Sequence, residues 1–326
     1  MVLYQYKIIK GMDNYMSNKS SKIKVKECNR FLFAVLCGIL QVFFRLVGIR
    51  ITTVNKCDHL PLSPSIVLCN HGSFFDFMYA GLLLKKSCPH FIIARLYFYH
   101  KWLGRLLTTL GGFPKSMFAM DLESTKNSLR VLHNGGVLVM MPEARLSTAG
   151  KFEDIQPNTF SFLKKANVPV YTIKIHGSYF AKPKWGNGFR RGALVESQLD
   201  LLFTTKDLES LSVEDIKKSV VDRLYFDEFQ WLQTKPHIHY RSAHLAEGLE
   251  NILTICPLCK QHYTIKTKGS DIFCEHCGKL TTLDSRYSFS PDFTFNNFAQ
   301  WYEWQKSVIK DQIALDPIMF ILFAET

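Results

Sequence analysis

The sequence lacks features that would assign it to a secreted, repeat or serine-hydrolase class. The first 30 residues are polar and rich in lysine, with no cleavage-like site after an apolar stretch, so no secretory signal is predicted. A Gly-x-Ser-x-Gly motif is missing, which excludes the usual nucleophile elbow. Internal repeats and low-complexity tracts are also missing, so we expect a globular fold.

Long uninterrupted apolar runs are scarce as well. The most apolar segment, residues 31–49, contains Gln41 and Arg45. A membrane-spanning helix needs about 20 apolar residues with few charges. The segment therefore predicts a helix lying at a membrane interface, with an ordinary buried core helix as the alternative.

Acidic residues are outnumbered, with 28 Asp and Glu against 40 Lys and Arg, and the formal net charge is +12. Such a charge favours polyanionic partners, namely nucleic acid, anionic lipid or phosphorylated substrates, or it is only a solvated surface.

The odd total of nine cysteines argues against a secreted disulfide framework. The cysteines of the first hundred residues are therefore predicted to be reduced thiols: Cys28, Cys37, Cys57, Cys69 and Cys88.

Beyond residue 50, short apolar runs alternate with segments of helical length. Strands are predicted at 65–69, 91–94, 137–141 and 170–175, and helices at 74–84, 95–110, 122–133 and 159–166. A capping-box-like start at Ser212 predicts a further helix that runs to about Thr234. The alternation predicts an α/β fold with a mostly parallel central sheet flanked by helices.

A polar cluster follows the strand predicted at 65–69 and includes Asn70, His71 and Asp76. α/β proteins place their sites at this end of a strand. If His71 lies in the turn before the helix and Asp76 in its first turns, the carboxylate can hold one imidazole nitrogen. The other nitrogen is then free to accept a proton from a substrate hydroxyl. The alternative is that His71 only caps the helix.

Four segments together resemble the glycerolipid acyltransferase family, which includes the 1-acylglycerol-3-phosphate acyltransferases. Asn70-His71 with Asp76 resembles the family's NH-x4-D block. Residues 112–115 (GFPK) resemble the second block, residues 141–147 (MPEARLS) resemble the third block FPEGTRS, and residues 167–170 (NVPV) resemble the fourth. The resemblance covers residues 35–200 approximately.

The resemblance implies a role for each site residue. His71 would be the general base, with Asp76 as its partner. Lys115 and Arg145 would bind the phosphate of the acceptor. Glu143 would shape the acceptor pocket and position Arg145.

The third block departs from the family pattern. Ala144 stands where the family has Gly, and Leu146 occupies the usual Arg position because Arg145 comes one residue earlier. The second block ends in Lys115 instead of the commoner Arg, which loses a bidentate contact. Other interpretations are a surface ion pair for Glu143 and Arg145, and a solvated loop lysine for Lys115.

The reaction implied is the transfer of a fatty acyl group from acyl-CoA or acyl carrier protein to a lysophospholipid hydroxyl. The expected acceptor is 1-acylglycerol-3-phosphate, which gives phosphatidic acid. Lipid substrates imply a membrane lipid surface as partner, with peripheral or monotopic attachment at the cytoplasmic face of the cell membrane. Segments 31–49 and 95–110 suit such an interface. Nucleic acid is not expected as a partner.

A separate motif lies near the C-terminus. Cys256, Cys259, Cys274 and Cys277 form two C-x2-C knuckles with the spacing of a zinc ribbon. Four thiolates with no open position predict a structural Zn²⁺ ion, and rubredoxin-like iron is the alternative.

Two other functions remain open at this point: a nucleic-acid- or protein-binding zinc-ribbon protein, and an acyl-ester hydrolase that uses water as acceptor. The predicted organisation has six parts. They are a polar N-terminal segment (1–30), a membrane-associating helix (31–50), an acyltransferase domain (51–234), a linker (235–254), a zinc-ribbon-like module (255–284) and an aromatic tail (285–326).

Overall fold

A computed structural model describes residues 24–57, 61, 63–116 and 121–315. The chain divides into two compact units, of which one comprises Lys24–Leu245 and the other begins at Ala246. Residues 1–23 of the predicted N-terminal segment and the part of the predicted tail from residue 316 onward lie outside the described residues.

The first unit contains a seven-stranded sheet with the spatial order β1-β7-β6-β2-β5-β3-β4. The strands are β1 (Arg50–Asn55), β2 (Ser65–Cys69), β3 (His90–Ala94), β4 (Phe113–Lys115), β5 (Val137–Met140), β6 (Val170–His176) and β7 (Leu194–Phe203). Neighbouring strands are parallel except β6 and β7, which are antiparallel. The predicted mostly parallel sheet is therefore confirmed, with β7 and β1 running against the other five strands.

Helices flank this sheet. They are α1 (Arg30–Leu46), α2 (Asp76–Leu83), α3 (Lys101–Thr109), α4 (Leu122–His133), α5 (Asn158–Ala166), α6 (Ser178–Ala181), α7 (Thr205–Ser210), α8 (Val213–Leu224) and α9 (Glu228–Gln233). Strand β2 is buried along its whole length because strands lie on both sides of it and the flanking elements cover its faces. Its Ile66 and Leu68 belong to one core cluster with Leu138 of β5 and Val170 of β6.

Two long helices predicted from the sequence are each divided in two. The 95–110 segment forms a 3₁₀ turn, Arg95–Phe98, and then α3, because His100 has an extended backbone with ψ of 109°. The helix that begins at Ser212 ends at Leu224 instead of Thr234. There Asp227 starts α9 by accepting hydrogen bonds from two backbone N–H groups.

Helix α1 has apolar residues on its exposed face as well as on its buried face. Asn29 caps its start, and Phe33, Cys37 and Phe44 are buried. Other apolar residues of the helix are exposed: Phe31, Val35, Ile39, Val42 and Leu46. None of the described helices is long and apolar enough to cross a bilayer.

The prediction of reduced thiols is wrong for two of the five cysteines. Cys28, just before α1, forms a disulfide with Cys88, which lies between α2 and β3. The other three, Cys37, Cys57 and Cys69, are free. Cys28 and Cys88 are 60 residues apart in sequence, which explains why spacing gave no indication of the pair.

The second unit contains a three-stranded antiparallel sheet and a long helix. Its strands are β8 (Ile265–Lys268), β9 (Asp271–Cys274) and β10 (Gly278–Thr282), and its helix is α10 (Phe298–Leu315). Trp301 of this helix is fully buried and donates a hydrogen bond to the carbonyl of Ile255. Phe289 and Phe293 pack on its ring. The part of the aromatic tail that the structure describes, up to Leu315, thus contributes to the core of the unit that holds the cysteine knuckles.

Candidate active site and cysteine cluster

The turn after β2 is fixed by the side chain of Asn70. Its amide nitrogen donates to the Ile175 carbonyl at 2.8 Å, and its amide oxygen accepts from the Ile175 N–H at 2.7 Å. The side chain therefore extends the β2–β6 pairing by one step and is fully buried. The next residue, His71, is held at the carboxyl edge of the sheet.

His71 and Asp76 meet as the sequence predicts. The Nδ1 atom of His71 lies 3.2 Å from Oδ2 of Asp76. The same oxygen accepts the N–H of Ser73 at 2.8 Å, which holds the carboxylate at the start of α2. The side chain of Asp76 is 0% exposed, whereas that of His71 is 19% exposed. The imidazole can thus reach a ligand while its partner is shielded from water.

Ser73 has a structural contact of its own. Its hydroxyl donates to the carbonyl of Lys182 at 2.9 Å, and its backbone N–H is bound by Asp76. The residue thus links the motif to the segment after α6.

Glu143, in the loop after β5, holds the backbone of the histidine. Its Oε1 accepts the N–H of His71 at 2.9 Å, and its Oε2 accepts the N–H of Glu153 at 2.9 Å. The N–H of Ser147 donates to the carbonyl of His71, also at 2.9 Å. Residues of the third block therefore bind both the N–H and the carbonyl of His71. This contact was not foreseen from the sequence, where the family resemblance implied that Glu143 shapes the acceptor pocket and positions Arg145.

Burial dominates the electrostatics of Glu143. It raises the pKa of this carboxyl to about 8, although the backbone N–H groups of Glu153 and His71 act in the opposite direction. Asp76 and Glu153 add smaller repulsive contributions. The site thus contains two buried carboxyl groups whose charges compete.

Arg145 is positioned by Glu153, with an Nη2–Oε2 distance of 2.8 Å. Its side chain is 58% exposed, so the guanidinium remains open to an anion. The preceding Ala144 has a φ of 56°, in the left-handed region where the family's Gly carries no Cβ penalty. Glu143 acts on Arg145 only through Glu153.

Lys115 ends β4 and lies farther from His71 than the other predicted site residues of the first unit. Three strand spacings separate β4 from β2, which corresponds to about 14 Å at the usual interstrand distance. Lys115 and His71 nevertheless lie at the same edge, because β2 and β4 run in the same direction. Lys115 is only half-buried.

A second histidine–carboxylate pair was missed by the sequence analysis. Nδ1 of His176, at the end of β6, lies 3.1 Å from Oε1 of Glu228. Glu228 also binds the Gly177 N–H, and its burial raises the pKa of the carboxyl. The ring of His176 stacks on Trp231 with centroids 5.7 Å apart. The two residues are far apart in sequence, so no local motif indicates the pair.

An apolar cavity begins one turn beyond the histidine motif. Helix α2, which starts at Asp76, contributes Met78, and β3 contributes Phe91. Helix α1 contributes Phe33 and Cys37 to the opposite wall. The lining is almost entirely apolar, which suits a hydrocarbon chain.

The four C-terminal cysteines converge in the second unit. Their sulfur atoms lie within 4.8 Å of one another. The Cys256–Cys277 and Cys259–Cys274 sulfur distances are 3.9 and 3.7 Å. Four thiolates around a tetrahedral zinc ion at about 2.3 Å would be separated by about 3.8 Å. The distances therefore fit a four-thiolate metal site and are too long for disulfides.

Comparison with known proteins agrees with the sequence blocks. Residues 51–176 match the family model described as acyltransferase. The crystal structure of the 1-acyl-sn-glycerophosphate (LPA) acyltransferase PlsC from Thermotoga maritima is similar, with a TM-score of 0.49 and 19% identity, covering 68% of this chain and 91% of that one. Comparison with curated proteins gives no match. The matched range contains His71, Asp76 and the second and third blocks, so the chain is similar to the acyltransferase family over residues 51–176.

Proposed function

We propose that the protein transfers a fatty acyl group from acyl-CoA or acyl carrier protein to the hydroxyl of a lysophospholipid, namely 1-acylglycerol-3-phosphate, giving phosphatidic acid. The observation that carries this proposal is the contact between Nδ1 of His71 and the buried carboxylate of Asp76. A carboxylate opposite Nδ1 favours the tautomer with its proton on that nitrogen, so Nε2 has a free lone pair.

The reaction needs no covalent enzyme intermediate. Nε2 of His71 takes the proton of the acceptor hydroxyl as its oxygen attacks the thioester carbonyl. The tetrahedral intermediate then expels the thiolate, which receives the proton from the imidazolium. An ester and a free thiol are formed, and Asp76 stabilises the positive charge that His71 carries in between.

Cations at the same sheet edge would bind the acceptor phosphate. Arg145 has an exposed guanidinium on the loop whose Ser147 contacts the backbone of His71. Lys115 would act from the far side of the edge, at a distance from His71 that suits the acyl donor more than the acceptor phosphate. The buried Glu143 would position His71 and touch no substrate.

Lipid substrates give the apolar features a use. The cavity beside α2 would take part of an acyl chain, since its lining is apolar and α2 begins at Asp76. The exposed apolar side chains of α1 and Trp102 of α3 would contact a membrane lipid surface. The proposal includes peripheral or monotopic attachment at the cytoplasmic face of the cell membrane.

The test is an assay with purified protein, lysophosphatidic acid and a long-chain acyl-CoA carrying a labelled acyl group. Phosphatidic acid is the expected product. Free fatty acid as the main product would favour an acyl-ester hydrolase. His71→Ala should lose this activity. His176→Gln is its control, because His176 also pairs with a buried carboxylate, and this variant should keep activity within about tenfold of the parent.

We also propose that Cys256, Cys259, Cys274 and Cys277 hold a structural Zn²⁺ ion. Among the residues that the structure describes, the cluster consists of these four thiols, and this set and the sulfur distances support a structural metal over a catalytic one, which keeps an open position. The ion would stabilise the second unit and take no part in acyl transfer.

A further inference from the structure

The segment from Lys182 to Trp185 contacts both loops of the proposed active site. Its Lys182 carbonyl accepts the hydroxyl of Ser73, in the histidine motif. Two residues later, Nζ of Lys184 donates to Oγ1 of Thr148 at 2.8 Å and to the carbonyl of Leu146 at 3.3 Å. The ammonium group of Lys184 therefore lies on the third-block loop, which also carries Arg145.

This segment is held rigidly. The indole N–H of Trp185 donates to the hydroxyl of Tyr179 at 2.8 Å, and that hydroxyl donates to the carbonyl of Thr148 at 2.8 Å. Trp185 is buried. Lys184 is thus presented by fixed backbone on both sides, which a residue must have to recognise a ligand.

The local charge leaves room for an anion. Burial lowers the pKa of the Lys184 ammonium, Glu153 raises it and Arg145 lowers it further. Glu153 is already bound by Arg145 at 2.8 Å. Arg145 and Lys184 therefore place two cations near one carboxylate, that of Glu153, beside the residues that hold His71.

The hydrogen bonds of Lys184 are incomplete for an ammonium group. An ammonium has three N–H donors, and in the part of the chain that the structure describes two acceptors contact this one. Lys164 gives the contrast, since it donates to three carbonyls, those of Leu208, Glu209 and Leu211. All three N–H donors of Lys164 are thus used within the protein, as expected for a structural lysine. Lys184 keeps one N–H donor for a ligand.

We propose that Lys184 is a specificity-determining residue that binds the phosphate of the acceptor together with Arg145. This inference rests on the proposed acyl transfer to a phosphate-bearing lysolipid. In such an acceptor only two carbons and one oxygen separate the reacting hydroxyl oxygen from phosphorus. The phosphate must therefore lie beside the loop that contacts His71, where Lys184 and Arg145 provide a pair of cations.

The experiment compares Lys184→Met with Lys164→Met in steady-state kinetics, with lysophosphatidic acid and a long-chain acyl-CoA each varied in turn. For Lys184→Met the KM for lysophosphatidic acid should rise about tenfold, with kcat within about threefold and the KM for acyl-CoA unchanged. Glycerol 3-phosphate, tested as a competitor, should inhibit this variant about tenfold more weakly. Lys184→Arg should restore much of the affinity.

Lys164→Met should lower the thermal midpoint Tm and leave both KM values as in the parent protein. The inference is overturned if Lys184→Met leaves the acceptor KM unchanged, raises both KM values equally or raises only that of acyl-CoA. A parent protein that transfers no acyl group to lysophosphatidic acid gives a different result, because it removes the proposed function itself.

Discussion

His71, the proposed catalytic base, is held at three points, through its ring and through its backbone N–H and carbonyl. Asp76 binds Nδ1, Glu143 binds the N–H and the N–H of Ser147 binds the carbonyl. Each contact removes conformational freedom from the base before substrate arrives, so little ordering remains for the reaction itself.

Asp76→Asn tests the ring contact. An amide cannot stabilise the imidazolium as a carboxylate does and favours the wrong tautomer, so kcat should fall about 10²-fold or more. Asp227→Asn is the control, since this buried carboxylate caps α9 through the N–H groups of Phe229 and Gln230. It should keep kcat within about threefold in the same assay, and equal losses in both variants would contradict the assigned role.

Glu143 gives a prediction about stability and pH. Its pKa is raised from 4.5 to about 8 in the folded protein. The folded chain therefore binds a proton here that the unfolded chain releases, and the stabilisation is fully present below about pH 4.5 and is lost as pH rises towards 8. Glu143→Gln does not titrate, so the difference in unfolding free energy between parent and variant should change steadily over this range.

Urea unfolding at pH 5 and pH 8 measures that difference. The parent should lose more stability than Glu143→Gln between the two values, even if the variant is less stable at both. A difference that is the same at pH 5 and pH 8 would show that the carboxyl group has an ordinary pKa.

At the residue scale, the sequence predicted what is local and missed what is distant. His71 and Asp76 lie five positions apart around one turn, so their spacing and the preceding strand were sufficient. The contacts of Glu143 and of Lys184 join segments that only tertiary packing brings together. Nothing in the spacing of those residues encodes the contact.

At the scale of single elements, α1 has more apolar surface than the first unit buries. Ile39 and Val42 lie on its outer face, and each is 59% exposed. Exposed apolar side chains along one helix are a feature of interfacial membrane contact. The helix thus has a buried side that lines the cavity and an outer side suited to lipid.

The double variant Ile39→Asp with Val42→Asp should bind vesicles containing phosphatidylglycerol about tenfold more weakly than the parent, because two apolar contacts are lost. Cosedimentation measures this, and Tm should change little because both side chains are exposed. Leu201→Asp with Leu315→Asp adds the same charge at exposed apolar positions outside α1. Equal loss of binding in the two double variants would argue against α1 as the lipid contact.

Element boundaries show where sequence patterns are insufficient. Apolar periodicity continues across residues 95–110 and 213–233, so both segments read as single helices. The breaks lie at His100, whose backbone is extended, and at Asp227, whose side chain caps a new helix. By contrast, α4 has the predicted bounds, since Asp121 caps its start and Asn134 with Gly135 ends it.

At the scale of the whole molecule, chemistry and metal binding are assigned to different units. The proposed catalytic and phosphate-binding residues all belong to Lys24–Leu245, and the four knuckle cysteines belong to the unit that begins at Ala246. The sequence predicted that the two motifs lie in separate parts of the chain, with a linker at 235–254, whereas the structure places residues 235–245 in the first unit. The sequence did not predict that the aromatic tail builds the core around Trp301.

The purified protein should contain one zinc ion per chain by elemental analysis. Cys256→Ser with Cys277→Ser should lose the metal and lower the unfolding midpoint of the second unit, because thiolate coordination stabilises such small folds. Acyl transfer should stay within about threefold of the parent. Full stability and folding after exhaustive chelation would contradict a structural metal, and bound iron would correct its identity.

The central claim is that His71 removes the proton from the acceptor hydroxyl. The most direct measurement is the rate of labelled phosphatidic acid formation on the same lipid vesicles by the parent protein and by His71→Ala. The Tm of the two proteins is compared first, to show that both are folded. The account predicts steady formation by the parent and a rate about 10³-fold lower in the variant. Equal rates in the two proteins, or no phosphatidic acid from the parent, would contradict it.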